Sequence, residues 1–172
     1  MVSFPTTVLV ADDGSPESDR AVDAAAQLVR ATNSSLSLVH VRSLSPTVIG
    51  FPPTPAYTER LREEGLALVE RRTADLSAAG VELEHAEVRL GKRIETTVTG
   101  TAAELGVGLL VVGARGGTPG QRYLLGDLSV HLVREARCSV LVVHTEDYRS
   151  AHRSPPDGRH QDQDQDQEPE HR

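Results

Sequence analysis

Apolar and polar residues follow two alternating patterns along this chain. Short runs dominated by Val, Leu and Ile are separated by longer segments in which apolar residues recur every three or four positions. The runs are typical of strands buried on both faces, and the recurrence is typical of amphipathic helices. The pattern predicts the order βαβαβαβαβ, with strands at residues 6–11, 34–41, 81–90, 108–113 and 138–144.

The first predicted helix has clear start signals. Ser15 is a good N-cap, Pro16 suits the first helical position, and Glu17 suits the positive end of the helix dipole. The helix is therefore expected to follow the first strand directly. Its apolar stripe is predicted at Ala21, Ala24, Ala25, Leu28 and Ala31.

The remaining helices are predicted from their apolar spacing. A proline-rich stretch at 43–55 predicts a long exposed loop, and the second helix is expected from Pro55 to Ala79, closed by Gly80. Its inner face is predicted at Leu61, Gly65, Leu68, Val69 and Leu76. The third helix is expected to pack through Ile94, Val98, Ala102 and Leu105, and the last through Leu125, Leu128, Leu132 and Ala136.

Strands that alternate with helices of this length predict an α/β fold. The expected architecture is a doubly wound, mostly parallel five-stranded sheet of Rossmann-like type, with right-handed crossovers and helices on both faces. Ligands of such sheets bind outside the carboxyl ends of the strands, where the winding direction switches. The turns "ADDGS" and "GARGG" follow the first and fourth strands and lead into helices, so the ligand site is predicted there.

The charge balance narrows the class of ligand. The 172 residues include 18 basic and 25 acidic ones, for a net charge of −7. A general nucleic-acid or anionic-membrane binder would show a basic surplus, so no nucleic acid and no membrane is expected as a partner. Any phosphate site must therefore be local.

Cysteine usage and the two termini indicate compartment and domain organisation. The single cysteine, Cys138, fits a reducing compartment. The N-terminal stretch "MVSFPTTVLVADDG" has no basic leader and its apolar run is too short for a signal segment, so a cytoplasmic protein is expected. One folded domain is predicted at residues 1–145, followed by a disordered, acidic, low-complexity tail at residues 146–172.

The stretch "GARGGTPGQRYLLGDLS", residues 113–129, carries the strongest functional signal. Glycines let the backbone approach an anion closely, and a following helix supplies unpaired N–H donors. The spacing of Gly113, Gly116 and Gly126 resembles the nucleotide-binding signature of the universal stress protein family. The stretches "VLVADDGSPESDRAVDAA", "LVHVR" and "LVREARCSVLVV" extend the resemblance to about residues 5–145.

This resemblance implies a stress-response binding or sensing module that, in many members of the family, binds ATP or AMP. By position, Ala11 and Asp13 correspond to residues near the adenine and ribose, and Val41 to one whose backbone contacts the adenine edge. The other cofactor-binding positions implied are Val112, Gly113 and Gly116 on the ribose and phosphate side, and Gly126, Asp127, Leu128 and Ser129 at the phosphate-binding helix start.

The family resemblance also implies a homodimer. Pairing is expected through the last strand, Ser139 to Val143, because an exposed apolar strand edge favours a partner. No arrangement of residues for general acid–base or nucleophilic catalysis is found in the sequence, so no catalytic residue is assigned. Two alternatives to a nucleotide-binding module stay open: an interaction protein that binds no nucleotide, and a slow ATP hydrolase.

Asp127 departs from the pattern of the family. Nucleotide-binding members carry Ser or Thr directly after the third glycine, where the hydroxyl meets phosphate oxygens. A carboxylate ~4 Å from a phosphate oxygen costs roughly 4 kcal/mol per charge pair at an effective dielectric near 20, so metal-free ATP is expected to bind weakly. Three hypotheses follow: Mg²⁺ bridges Asp127 and the phosphates, Arg115 or Arg122 neutralises the site, or Asp127 serves as an N-cap or first-turn residue.

Other candidate chemistry is weaker. The Gly-Lys pair in "LGKRIE" lacks the upstream glycine and the following Ser or Thr of a P-loop, and the helix after it is explained by packing. His40, His85 and His131 have no partner at metal-ligand spacing, so no metal site is assigned. Cys138 is interpreted as a small buried apolar residue.

Overall fold

The computed structural model of the protein describes residues 2–44, 53–114 and 126–144. Its strands are β1 (Thr7–Ala11), β2 (Ser35–Ser43), β3 (Leu83–Gly91), β4 (Leu109–Gly113) and β5 (Ser139–Val143). Its helices are α1 (Pro16–Thr32), α2 (Pro55–Ala78), α3 (Ile94–Glu104) and α4 (Asp127–Glu135). Positions named above that lie outside the described residues are Arg115, Gly116, Arg122, Leu125, residues 45–52 of the proline-rich loop and the tail at 146–172.

The five strands form one sheet in the order β3-β2-β1-β4-β5, and all neighbouring strands are parallel. This confirms the predicted α/β fold. Strand β1 lies in the middle and pairs with β2 on one side and with β4 on the other, so the winding direction switches between β1 and β4. Ala11 pairs with Val112, which brings the carboxyl ends of these two strands to the same level.

Helices cover both faces of the sheet. Helices α1 and α2 pack on one face and α3 and α4 on the other, each pair over its own apolar cluster. The cluster under α1 and α2 includes Val8, Val10, Val22, Val69 and Val111. The cluster under α3 and α4, called the α3–α4 cluster below, includes Leu9, Val39, Val98, Leu110, Val112 and Leu132.

Helix α1 begins as predicted, and its predicted apolar stripe is confirmed in part. Ser15 is the N-cap, its side chain accepts a hydrogen bond from the helix backbone, and Pro16 is the first helical residue. Ala21 and Ala25 are buried as expected, whereas Ala31 is exposed. The buried face consists of Ser18, Ala21, Val22, Ala25, Ala26 and Val29. The predicted stripe was right at Ala21 and Ala25, and Leu28 packs on the core, but it was wrong at Ala31, because alanines lie on several faces of this helix and the larger valines gain most from burial.

Helix α2 confirms its predicted inner face. The buried residues of this helix are Leu61, Gly65, Leu68, Val69 and Leu76. Gly80 has a positive φ of 76°, which glycine adopts at low cost, and its N–H donates to the carbonyl of Ser77 at 2.9 Å. The helix therefore ends where the sequence predicts.

Candidate functional site

Four of the predicted site residues lie together at the carboxyl end of the sheet. Ala11, Val41 and Val112, at the ends of three neighbouring strands, pack on the α3–α4 cluster, and so does Leu128 of α4. Val112 is buried, whereas the other three are half-buried. They form a partly exposed apolar floor at the switch point between β1 and β4, the position at which α/β sheets bind ligands.

A buried carboxylate, that of Asp12, lies directly after β1. Its side chain is fully buried and accepts hydrogen bonds from the Ser18 hydroxyl at 2.6 Å, from the Gly14 N–H at 2.8 Å and from the Arg72 Nε–H at 2.6 Å. Arg72 also pairs with Asp19 of α1. One carboxylate therefore ties β1 to both helices on this face of the sheet.

The backbone of Asp12 is fixed as well. Its N–H donates to the carbonyl of Val39 at 3.0 Å, and its carbonyl accepts a hydrogen bond from Nδ1 of His40 at 2.7 Å. His40 is itself buried, as expected of a packed imidazole. These two hydrogen bonds fix the backbone of Asp12, which directly precedes Asp13 in the turn.

Two opposing effects determine the pKa of Asp12. Burial opposes the charged form and raises the pKa, but the hydrogen bonds from Arg72, Ser18 and Gly14 and the charge of Arg72 outweigh it. The pKa of Asp12 consequently lies below its ordinary value. The pKa of Arg72 is raised, because its pairing with Asp12 and Asp19 outweighs the loss of solvation. Both groups are charged at neutral pH.

Asp13 is the exposed acid of the same turn. One of its oxygens accepts a hydrogen bond from the Ser15 N–H at 3.0 Å. This contact closes the turn at the start of α1 and orients the carboxylate at the end of β1. The structure therefore places Asp13 at the switch point, beside Ala11.

Gly113 ends β4 with its missing side chain directed toward α1. A Cβ added here would lie 3.0 Å from the carbonyl carbon and oxygen of Glu17. The strand alternation places Gly113 on the same face as Val111, which packs under α1 and α2. The close approach of α1 is therefore a packing reason for this glycine, separate from any ligand.

The start of α4 is fastened to the end of β4. The N–H of Gly126 donates to the carbonyl of Ala114 at 2.8 Å. The hydroxyl of Ser129 is buried and donates to the carbonyls of Gly113 at 2.9 Å and of Ala114 at 3.2 Å. Ser129 thus holds the helix on the strand through its hydroxyl.

Asp127 does not cap its helix. The N-cap of α4 is Gly126, which has no side chain that could make a capping hydrogen bond, and Asp127 is the first helical residue, with an exposed side chain. The N-cap version of the third hypothesis was therefore wrong, and only the first-turn version stands. A carboxylate in the first turn is favourable because it lies at the positive end of the helix.

A cavity of about 510 Å³ opens beside the start of α4. Its volume falls within the range of small-ligand pockets, about 300–1,000 Å³. Ile94 and Leu128 connect it to the apolar floor, since both also pack on the α3–α4 cluster. The described residues that line it are Ser43, Lys92, Arg93, Ile94, Glu95, Asp127, Leu128 and His131.

Five polar residues of this cavity were not assigned to the site from the sequence: Ser43, Lys92, Arg93, Glu95 and His131. Lys92 and Arg93 lie between β3 and α3, and His131 lies one turn into α4. The signal that could have found the two basic residues is the stretch "LGKRIE", which follows a strand at the same edge of the sheet as "GARGG". The stretch lacks a P-loop pattern, but its place directly after a parallel strand predicts this edge of the sheet.

The remaining candidate groups have structural surroundings. Cys138 is half-buried against the α3–α4 cluster, and burial raises the pKa of its thiol, which keeps it protonated. Within the three described ranges, no group of three or more His, Cys, Asp and Glu side chains is placed to hold a metal ion. None of the described helices is long and apolar enough to cross a membrane.

Comparison with known proteins gives a consistent result. The profile of the Universal stress protein family matches residues 5–144. Universal stress protein YxiE of Bacillus subtilis is 31% identical over 145 residues, which cover 79% of this chain and 97% of that protein.

Solved structures of the same family share the fold. A universal stress protein family member from Burkholderia pseudomallei has 27% identity and a TM-score of 0.63, with 82% of this chain and 97% of that chain covered. A universal stress protein solved in complex with cAMP has 29% identity and a TM-score of 0.55, with 83% and 98% covered.

Proposed function

We propose, from the premise that this chain belongs to the universal stress protein family, that it is a stress-response binding or sensing module for an adenine nucleotide and acts as a homodimer. The observation that carries the ligand is an apolar floor at the β1–β4 switch point, which Ile94 and Leu128 connect to a cavity of about 510 Å³ beside the start of α4. A partly exposed apolar surface suits a base, and helix N–H groups suit a phosphate. The complex of a relative with cAMP supports the same class of ligand.

The ligand contacts follow from this placement. In the proposal, Val41 lies at the adenine edge, and Ala11 and Asp13 lie near the ribose. The phosphates take the backbone N–H groups at the start of α4. The residues on the phosphate side are Val112, Gly113, Gly126, Asp127, Leu128 and Ser129, together with Gly116, which lies outside the described residues.

In this proposal, the negative charge of Asp127 weakens the binding of nucleotides that carry more phosphates. Asp127→Ser is expected to tighten the binding of metal-free ATP by about threefold to tenfold, because it removes a like charge and restores a hydroxyl. The carboxylate is exposed, so water screens the repulsion and the gain stays modest. Isothermal titration with ATP and with AMP, each with and without Mg²⁺, measures the effect. The gain from Mg²⁺ is expected to shrink in the variant if the ion bridges Asp127 and the phosphates.

Asp23→Ser is the matched control for this substitution. Asp23 is an exposed acid of α1, so its removal changes the net charge equally and leaves the proposed site intact. Equal ATP affinity in the wild type, the control and Asp127→Ser would contradict the repulsion argument. Failure of ATP, AMP and cAMP to bind under any of these conditions would instead contradict the nucleotide-binding function.

The proposed dimer contact is the free edge of β5. Leu141 is 38% exposed on this edge strand, and Val133 of the neighbouring helix α4 is 55% exposed. Leu141→Lys is expected to weaken self-association by at least about tenfold, since a charge at an apolar strand edge opposes pairing. Val142 of the same strand packs half-buried on the α3–α4 cluster, so a lysine there would also disturb the fold.

Light scattering across a concentration series measures this association. Leu66→Lys provides the control, because Leu66 is an equally exposed leucine, at 42%, on α2 and away from β5. A wild-type protein that stays monomeric would exclude the proposed dimer. An unchanged dimer mass in Leu141→Lys would exclude this edge as the contact.

A further inference from the structure

We propose that Lys92, which lies between β3 and α3 and lines the cavity beside the start of α4, neutralises the phosphates of the bound nucleotide. The inference rests on the proposed adenine-nucleotide function and identifies the group that compensates the phosphate charge. It assigns to this chain a specificity-determining residue outside the glycine-containing loop.

Lys92 is the only lysine in the 172 residues. It follows the last residue of β3, its side chain is exposed, and it lines the cavity beside Asp127. Among the described residues Lys92 forms no ion pair, whereas Nε of its neighbour Arg93 lies 2.6 Å from Oε1 of Glu95. The charge of Arg93 is therefore already shared, and that of Lys92 is available to a ligand.

The negative net charge of the protein makes the positive charge of Lys92 important for phosphate binding. The chain has a net charge of −7, so its overall field repels a nucleotide phosphate. Among the described residues that line the cavity, two basic side chains, Lys92 and Arg93, offset two acidic ones, Glu95 and Asp127. A phosphate that enters there meets a locally balanced wall, and this balance depends on Lys92.

The chemistry of lysine suits this task. An ammonium on a flexible stem donates three hydrogen bonds and acts on a phosphate as a point charge, without demanding a fixed geometry. Ile94 and Leu128 form the apolar connection from the cavity to the floor of the proposed base site. A nucleotide with its base on the floor would therefore direct its phosphates toward the polar wall that carries Lys92 and Asp127.

The first test is a titration series with three ligands: ATP, AMP and adenosine. Lys92→Gln is expected to weaken ATP about tenfold, AMP less, and adenosine by less than about twofold, because the lost interaction scales with phosphate charge. Lys92→Arg should restore most of the ATP affinity. Arg71→Gln, which removes an exposed positive charge from α2, is expected to leave all three affinities unchanged.

The second test uses the uniqueness of the lysine. Acetylation with an amine-selective ester, followed by peptide mass spectrometry, reports on Lys92 as the only side-chain amine. Saturating ATP is expected to slow this acetylation at least about fivefold relative to saturating adenosine, because a phosphate in contact with the Lys92 nitrogen shields it from the reagent.

The outcomes separate the two proposals. If ATP binds and Lys92→Gln weakens ATP and adenosine equally, or not at all, the role of Lys92 is overturned while nucleotide binding stands. The same holds if ATP and adenosine protect Lys92 to the same extent. If none of the three ligands binds the wild-type protein, the proposed function fails and this inference fails with it.

Discussion

Replacing Asp12 by alanine is expected to lower the free energy of unfolding by about 3–5 kcal/mol. The substitution removes the carboxylate that accepts hydrogen bonds from Arg72, Ser18 and the Gly14 N–H. The Arg72 side chain is only 14% exposed, so its charge would keep a single partner, Asp19, at a site largely closed to water. Urea denaturation at pH 7 measures the loss.

Asp12→Ala should change the pH dependence of stability as well as the free energy of unfolding at pH 7. The folded-state pKa of Asp12 lies below its ordinary value of 3.8, so the carboxylate contributes stability above that pH. This contribution is lost as the pH falls through the lower, folded-state pKa. The wild type should therefore lose stability below about pH 4 more steeply than Asp12→Ala.

An exposed acid of α1, Asp23, supplies the control for this pair of measurements. Asp23→Ala is expected to change the free energy of unfolding by less than about 0.5 kcal/mol and to keep the acid slope of the wild type. The double variant Asp12→Ala/Arg72→Ala should lose less than the sum of the two single variants, because it leaves no buried charge unpaired. Additive losses would contradict the pairing of Asp12 with Arg72.

The fold was predictable because two periodicities carry most of the information. Buried strands appear in the sequence as short apolar runs. The helical spacing of apolar residues in α2 correctly predicts the five positions of this helix that are buried in the structure. Helix α1 shows the limit of the method. Its alanines are spread over several faces, so the pattern allowed more than one orientation, and the contacts of Val22 and Val29 with the sheet decide between them.

The candidate site was predictable only where topology fixes it. Parallel strands bring the ends of β1 and β4 together, so topology predicts a site at the turns after them, whereas the individual positions Ala11 and Val112 came from the family resemblance. The bond between Asp12 and Arg72 joins residues 60 positions apart and leaves no periodic signal. Lys92 was missed for the same reason, since the segment between β3 and α3 meets α4 only in the folded chain.

Gly113 shows how a sequence motif can have two physical causes. Its place in a glycine pattern suggested close approach to a phosphate. In the structure, however, the backbone of Glu17 lies only 3.0 Å from the position that a Cβ would take. Gly113→Ala is expected to lower the free energy of unfolding by about 2–3 kcal/mol, because the crowded atoms belong to a helix backbone and cannot move by a change of rotamer.

Gly100→Ala is the matched substitution that isolates this effect. Gly100 lies in α3 with open space around an added Cβ, so alanine there should raise the free energy of unfolding by about 0.5–1 kcal/mol. Because the added methyl group of Gly113→Ala faces α1 and not the apolar floor, AMP should bind the folded variant within about twofold of the wild-type affinity. A variant that folds as stably as the wild type but loses AMP would show instead that the ligand, and not helix packing, requires this glycine.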